Sequence, residues 1–116
     1  MSDDERTERI AKEIMGWELS MGGWYSSQHE GRIFDQFGWN PRTRWDHAGM
    51  LAEKLTEMGY NYEAGRDNGI PFCHISRWYD MTDIVVSVDA LTTPAATSVP
   101  AAIFEAAYAM LEEIAP

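Results

Sequence analysis

Arginines set beside aromatic residues are the side chains in this chain best suited to chemistry, and that chemistry is recognition of anions and flat rings. Arg32 stands two residues before Phe34; Arg42 and Arg44 bracket the start of a helix, near Trp39 and Trp45; Arg77 runs directly into Trp78 and Tyr79. A guanidinium pairs two-pronged with a phosphate and stacks on rings, and an aromatic face accepts a base or a cation. A helix start flanked by arginines is a natural anion site. Thr92 and Thr93, in the loop Leu91–Thr97, add hydroxyls among small neighbours that let a ligand approach closely. The expected ligand contacts are therefore Arg32, Phe34, Trp39, Arg44, Arg77, Trp78, Tyr79, Thr92 and Thr93. The competing reading is structural: the tryptophans fill the core, the arginines pair with acids, and the threonine loop only connects two elements.

Catalytic chemistry finds less support. The chain carries no GxSxG, HExxH or CxxC motif and no glycine-rich phosphate loop. His29, His47 and His74 fall on different elements without metal-ligand spacing. Cys73 and His74 are neighbours on a strand, so their side chains point to opposite faces and form no preformed nucleophile–base pair. Asp80 and Asp83 flank an expected turn, where carboxylates stay solvated. No enzyme activity, metal or cofactor is expected.

Charge narrows the partners. The chain has 116 residues, the length of one domain, and a net charge of -10. That charge repels duplex nucleic acid, whose phosphates need a basic stripe. All nine basic residues lie at or before Arg77, and from Trp78 onward there are acids and no base. This asymmetry reads either as a solvated face or as an acidic surface that mimics nucleic acid or docks on a basic host protein. The single Cys73 rules out an internal disulfide and fits a reducing cytoplasm. No apolar run reaches the roughly 20 residues of a membrane span, and the charged start lacks an export signal. A cytoplasmic location is expected, without membrane contact.

The elements that must position these residues follow from periodicity. Ser2 and Glu5 form a capping-box pair opening a helix from Asp3 to about Gly16, with Ile10, Ile14 and Trp17 as its apolar stripe and Glu5–Arg9 and Glu8–Lys12 as surface pairs. Trp24–Tyr25 and Arg32–Phe34 suggest a hairpin. Thr43 caps a second helix whose Ala48, Leu51, Leu55 and Met58 share a face and whose terminator is Gly59. Alternation from Tyr60 to Ala64, from Ile70 to Tyr79 and from Ile84 to Ala90 gives three strands in an antiparallel meander. Ser98 caps a last helix with Pro100 in its first turn. The expected fold is α+β, one domain over residues 1–116: a small antiparallel sheet of three to five strands sandwiched by three helices. The last helix is apolar over a wide arc, more than one sheet face covers, so a homodimer or larger oligomer is expected.

IAKEIMGW from Ile10 to Trp17, Trp39-Asn40-Pro41 followed by the helix HAGMLAEKLTEMGY, and the closing TSVPAAIFEAAYAML together resemble the phage ABA sandwich domain. The last helix is also similar to the end of NinX-type phage proteins. The resemblance implies a phage or prophage protein, oligomeric, with pockets near subunit interfaces. It also implies the activity of Thoeris anti-defence sponges, which bind cyclic ADP-ribose-type signals or cyclic oligonucleotides without cleaving them. The function expected is thus sequestration of a small cyclic-nucleotide immune signal in the host cytoplasm. The alternatives are an acidic protein-binding inhibitor of a host defence complex, anti-CRISPR-like, and an accessory domain whose oligomer is its whole role.

Overall fold

Ser2 opens the first helix by the mechanism its sequence suggests. In the computed structural model, which describes residues 2–26, 31–77 and 79–114, the Ser2 hydroxyl accepts the Glu5 N–H at 3.2 Å and the Glu5 carboxylate accepts the Ser2 N–H at 3.4 Å. Helix α1 (Asp3–Glu13) buries Ile10 and Ala11, and Ile14 follows them into the core. Lys12 reaches Glu8 as expected, but Arg9 pairs with Glu13 and Glu112 rather than Glu5.

Three short strands follow: β1 (Glu18–Ser20), β2 (Gly23–Tyr25) and β3 (Arg32–Asp35), antiparallel in that order. The β2–β3 pairing was legible; β1 was not, because Glu-Leu-Ser is too short and polar to show alternation. Met21 and Gly22, with φ of 50° and 74°, make the tight turn that joins β1 to β2. Leu19 then stands opposite Trp24, and Trp24 opposite Phe34.

Helix α2 (Trp45–Glu57) starts later than its sequence suggests. Residues 40–43 form a turn in which the Asn40 carbonyl accepts the Thr43 and Arg44 N–H groups, so Arg44, not Thr43, occupies the cap position and no side chain caps it. Ala48, Leu51 and Leu55 are buried, while Met58 stays partly exposed at the end. Gly59 terminates the helix at φ 96°, a conformation strained for any L side chain.

The second sheet is the expected meander of β4 (Tyr60–Asp67), β5 (Ile70–Arg77) and β6 (Asp80–Asp89). Asn68-Gly69, both at positive φ, turns β4 into β5. β6 begins at Asp80, earlier than the alternation from Ile84 implied, and residues 80–82 are strand rather than turn. A bulge explains the discrepancy: Ile75 faces Val86 but Ser76 faces Ile84, so Val85 is an extra residue. The inward and outward positions exchange there. Val86 and Val88 are buried, whereas Ile84 is 53% exposed.

Helix α3 (Val99–Ile114) begins with Ser98, whose hydroxyl accepts the Ala101 N–H at 3.2 Å. It packs on β4, β5 and β6 and also on α1 and α2. Every residue from Val99 to Ala107 is buried. The architecture is therefore α+β with two three-stranded antiparallel sheets and three helices, not a single sheet between helices. The wide apolar arc on α3 is covered inside one chain, so it does not by itself require a second copy.

One polar clamp sits in this packing. Arg6 of α1 bonds the carboxylate of Glu105, which is only 8% exposed, and lies 5.1 Å from the Phe104 ring centre and 4.6 Å from that of Tyr108. Arg42 bonds Asp3 from the other side and also approaches Phe104. Removing Arg6 strands the buried Glu105 carboxylate, and removing Glu105 leaves Arg6 with only its longer contact to Asp3 at 3.4 Å. Glu105→Ala is expected to lower stability by about 3 kcal/mol, whereas the double change Arg6→Met with Glu105→Leu restores most of it. Lys12→Ala, which breaks only an exposed pair, costs less than about 0.5 kcal/mol. Urea unfolding of the variants checks this ordering; a Glu105→Ala loss no larger than that of Lys12→Ala would refute it.

Candidate functional site

The residues expected to bind ligand are dispersed, and most are engaged by the fold. Trp39 is 1% exposed and meets Trp17 edge-on at 5.0 Å, so it is core. Phe34 is half-buried between Trp17 and His47. Arg32 acts as a strut: it bonds Asp35 at 2.9 Å and the Met21 carbonyl at 3.1 Å, and its side chain lies across Gly23, where a Cβ would come within 2.4 Å of it. Arg44 grips Asp46 with both prongs, at 3.2 and 3.1 Å. Arg77 pairs with Asp83 at 2.9 Å. Tyr79 is 77% exposed at the β5–β6 turn, and Trp78 lies outside the described residues, as does His29. Thr92 and Thr93 wrap the end of β6, as described below. The pairing of arginines with acids, offered as the structural alternative, is what the geometry contains.

Several acids of the C-terminal third are likewise occupied. Asp83 holds Arg77, Glu105 holds Arg6 and Glu112 holds Arg9 at 2.8 Å.

A concavity lies elsewhere, on the outer face of the second sheet. Strand alternation turns Cys73 and Ile75 inward under α3 and leaves Phe72 and His74 on the opposite side. The register places Gly65 and Asp89 beside Phe72, and Glu63 and Ser87 beside His74. Gly65 contributes no side chain, so it leaves the flank of the Phe72 ring uncovered. The result is an open groove of about 470 Å³ lined by Glu63, Arg66, Asp67, Ile70, Phe72, His74, Asp89 and Leu91. That volume falls within the range of about 300–1,000 Å³ usual for small-molecule sites.

Each wall is held in place. The Phe72 and His74 rings lie 5.0 Å apart, inclined by 38°. His74 Nδ1 is 2.7 Å from the Ser87 hydroxyl. Arg66 donates to the Gly69 carbonyl at 3.2 Å. Asp89 Oδ1 accepts the Leu91 and Thr92 N–H groups at 2.9 Å and the Thr92 hydroxyl at 3.1 Å. These bonds, the Thr92 N–H foremost, hold the Asp89 carboxyl below the usual carboxylate range. Thr92 thus serves the groove through Asp89. No sequence motif marks this site; its signal is the outward pair Phe72 and His74 on an otherwise apolar strand, and only strand register adds Glu63 and Asp89.

Among the described residues no group of histidine, cysteine and carboxylate side chains converges as a metal site. Cys73 is fully buried, and burial pushes its thiol up to about 12, so at neutral pH it is not a thiolate.

The sequence matches no family model and no curated protein. It is similar in structure to a phage protein from Bacillus cereus ATCC 14579, known from a 2.0 Å crystal structure. The likeness covers 97% of this chain and 89% of that one, with a TM-score of 0.64 and 17% identity. At that identity it shows a shared fold, one found in a phage protein.

His47 links the first sheet to α2. It is 4% exposed, its Nδ1 accepts the Asn40 N–H at 2.8 Å, and the Phe34 ring lies 4.9 Å away. Desolvation lowers its pKa below the ordinary 6.5, against the pull of Asp46. A depressed histidine pKa gives stability that is complete above the unfolded value and is lost as pH falls toward the folded one. The thermal midpoint is therefore expected to fall between about pH 7 and pH 5, and His47→Asn, which keeps an acceptor near Nδ1, should flatten that slope. Parallel slopes for the two proteins in a pH series of melts would exclude His47 as the cause.

Proposed function

We propose that this protein is a non-catalytic counter-defence factor of phage type that captures a small nucleotide-type signal in the groove on its second sheet. The observation that carries the reading is the juxtaposition of a Phe72–His74 floor with Arg66 and three carboxylates. A base lies on the aromatic floor, ribose hydroxyls donate to Glu63, Asp67 or Asp89, and one phosphate at the rim meets Arg66. The Cys73 thiol is buried on the other face of the sheet, out of reach of a ligand in the groove, which favours holding a ligand over converting it. The shared fold with a phage protein supports the phage setting, and the resemblance to the ABA sandwich group supports a sequestering role in the host cytoplasm. The acidic-inhibitor alternative has less support, since Asp83, Asp89, Glu105 and Glu112 are already engaged within the chain.

A panel of cyclic ADP-ribose isomers and cyclic oligonucleotides tests the proposal by thermal shift and calorimetry. At least one member should raise the melting midpoint and be recovered intact by mass spectrometry after heating. Phe72→Ala should weaken it about tenfold while leaving the fold unchanged, because stacking of a base on an aromatic ring is worth about 1–3 kcal/mol and this ring lies outside the core. Absence of any shift across the panel would sink capture of a cyclic signal, and a hydrolysed ligand would sink the non-catalytic reading.

A further inference from the structure

The groove carries the wrong sign of charge for a ligand rich in phosphate. Glu63, Asp67 and Asp89 surround it against one guanidinium, that of Arg66, whose Nη1 is already shared with the Gly69 carbonyl. The chain as a whole is at -10. Each added phosphate meets repulsion from both sources. The floor is flat and aromatic, and an aromatic face attracts positive charge. Two independent features, ring faces and surplus carboxylate, thus favour the same thing: a positive charge spread over a flat ring. A lone ammonium or guanidinium would satisfy the carboxylates but leave most of the groove, about 470 Å³, unfilled. A ring joined to a sugar fills it better, and the sugar's vicinal hydroxyls suit carboxylate oxygens, which accept hydrogen bonds only.

We infer that the groove selects nucleoside-type ligands whose heteroaromatic ring is itself cationic, such as an N-glycosylated pyridinium or an N-alkylated purine, and that it disfavours additional phosphates. The inference rests on the nucleotide reading above and narrows it to ring charge and phosphate number. Positive charge lies between Phe72 and the carboxylates of Glu63 and Asp67. Asp89 is committed through one oxygen to the Leu91–Thr92 turn, and Oδ2 takes none of those three bonds.

Nicotinamide riboside and nicotinamide mononucleotide, each in oxidised and reduced form, provide the test. Oxidised and reduced partners share sugar and size and differ chiefly in the charge of the ring. Calorimetry on the full chain should show the oxidised riboside binding about tenfold tighter than the reduced one. The oxidised mononucleotide, whose single phosphate Arg66 can meet, should bind more tightly than the multiply phosphorylated cyclic ligands, and raising the salt concentration should shrink the oxidised-to-reduced ratio. Glu63→Gln with Asp67→Asn, both on the exposed outer face, should bring that ratio close to one. Equal binding of oxidised and reduced forms would overturn this inference while leaving the nucleotide reading intact. Failure of every nucleoside and nucleotide, including the cyclic panel, would overturn both. Tighter binding of a free arginine or a basic peptide than of any nucleoside would overturn the inference in favour of a protein partner.

Discussion

Burial of α3 on every side from Val99 to Ala107 is the constraint on which the rest of the molecule depends. A helix can lie between a sheet and two other helices only if its side chains are small enough for all of them to approach. Ala101, Ala102, Ala106 and Ala107 meet that condition, while Ile103, Phe104, Met110 and Leu111 fill the larger gaps. Glu105 is the exception in this apolar helix, and Arg6 neutralises it beneath the rings of Phe104 and Tyr108. The clamp sets α1 against α3 at a definite height and angle. Two such groups, inserted into an apolar layer, specify one arrangement of the helices more than they add stability.

The second sheet inherits its functional asymmetry from that helix. Its inner face must be apolar, because α3 covers it, and Cys73, Ile75, Val86 and Val88 comply. Its outer face is covered by no other element described here and is free to carry polar and aromatic groups. Strand alternation therefore separates packing from recognition residue by residue along β5. The bulge near Val85 restores the correct alternation for Val86 and Val88 after Ile84 has turned outward.

The arginines illustrate how a negative chain uses its scarce cations. Nineteen acids share nine basic residues, so an arginine near the surface has a carboxylate within reach far more often than not. Arg6, Arg9, Arg32, Arg42, Arg44 and Arg77 all take one, and Arg66 is the guanidinium that lines the groove. Proximity to an aromatic in sequence was therefore a poor guide to a ligand site. The likeness in fold to a phage protein extends across nearly all of both chains, and it concerns this arrangement of layers, not the groove's side chains.

Local signals were sufficient wherever the physics is local. Ser2 with Glu5, Ser98 ahead of Pro100, Gly59, Asn68-Gly69 and the alternation of β5 each act over three or four residues, so each could be read from the chain alone. The α+β class and the antiparallel meander follow from them. What required the tertiary structure was long-range or register-dependent. β1 exists because Leu19 finds Trp24, the apolar arc of α3 is explained by a sheet and two helices from distant parts of the chain, and Asp89 meets Phe72 only through pairing across β5 and β6. A side chain's own type states what it can bind, but its neighbours in space decide whether it remains available to do so.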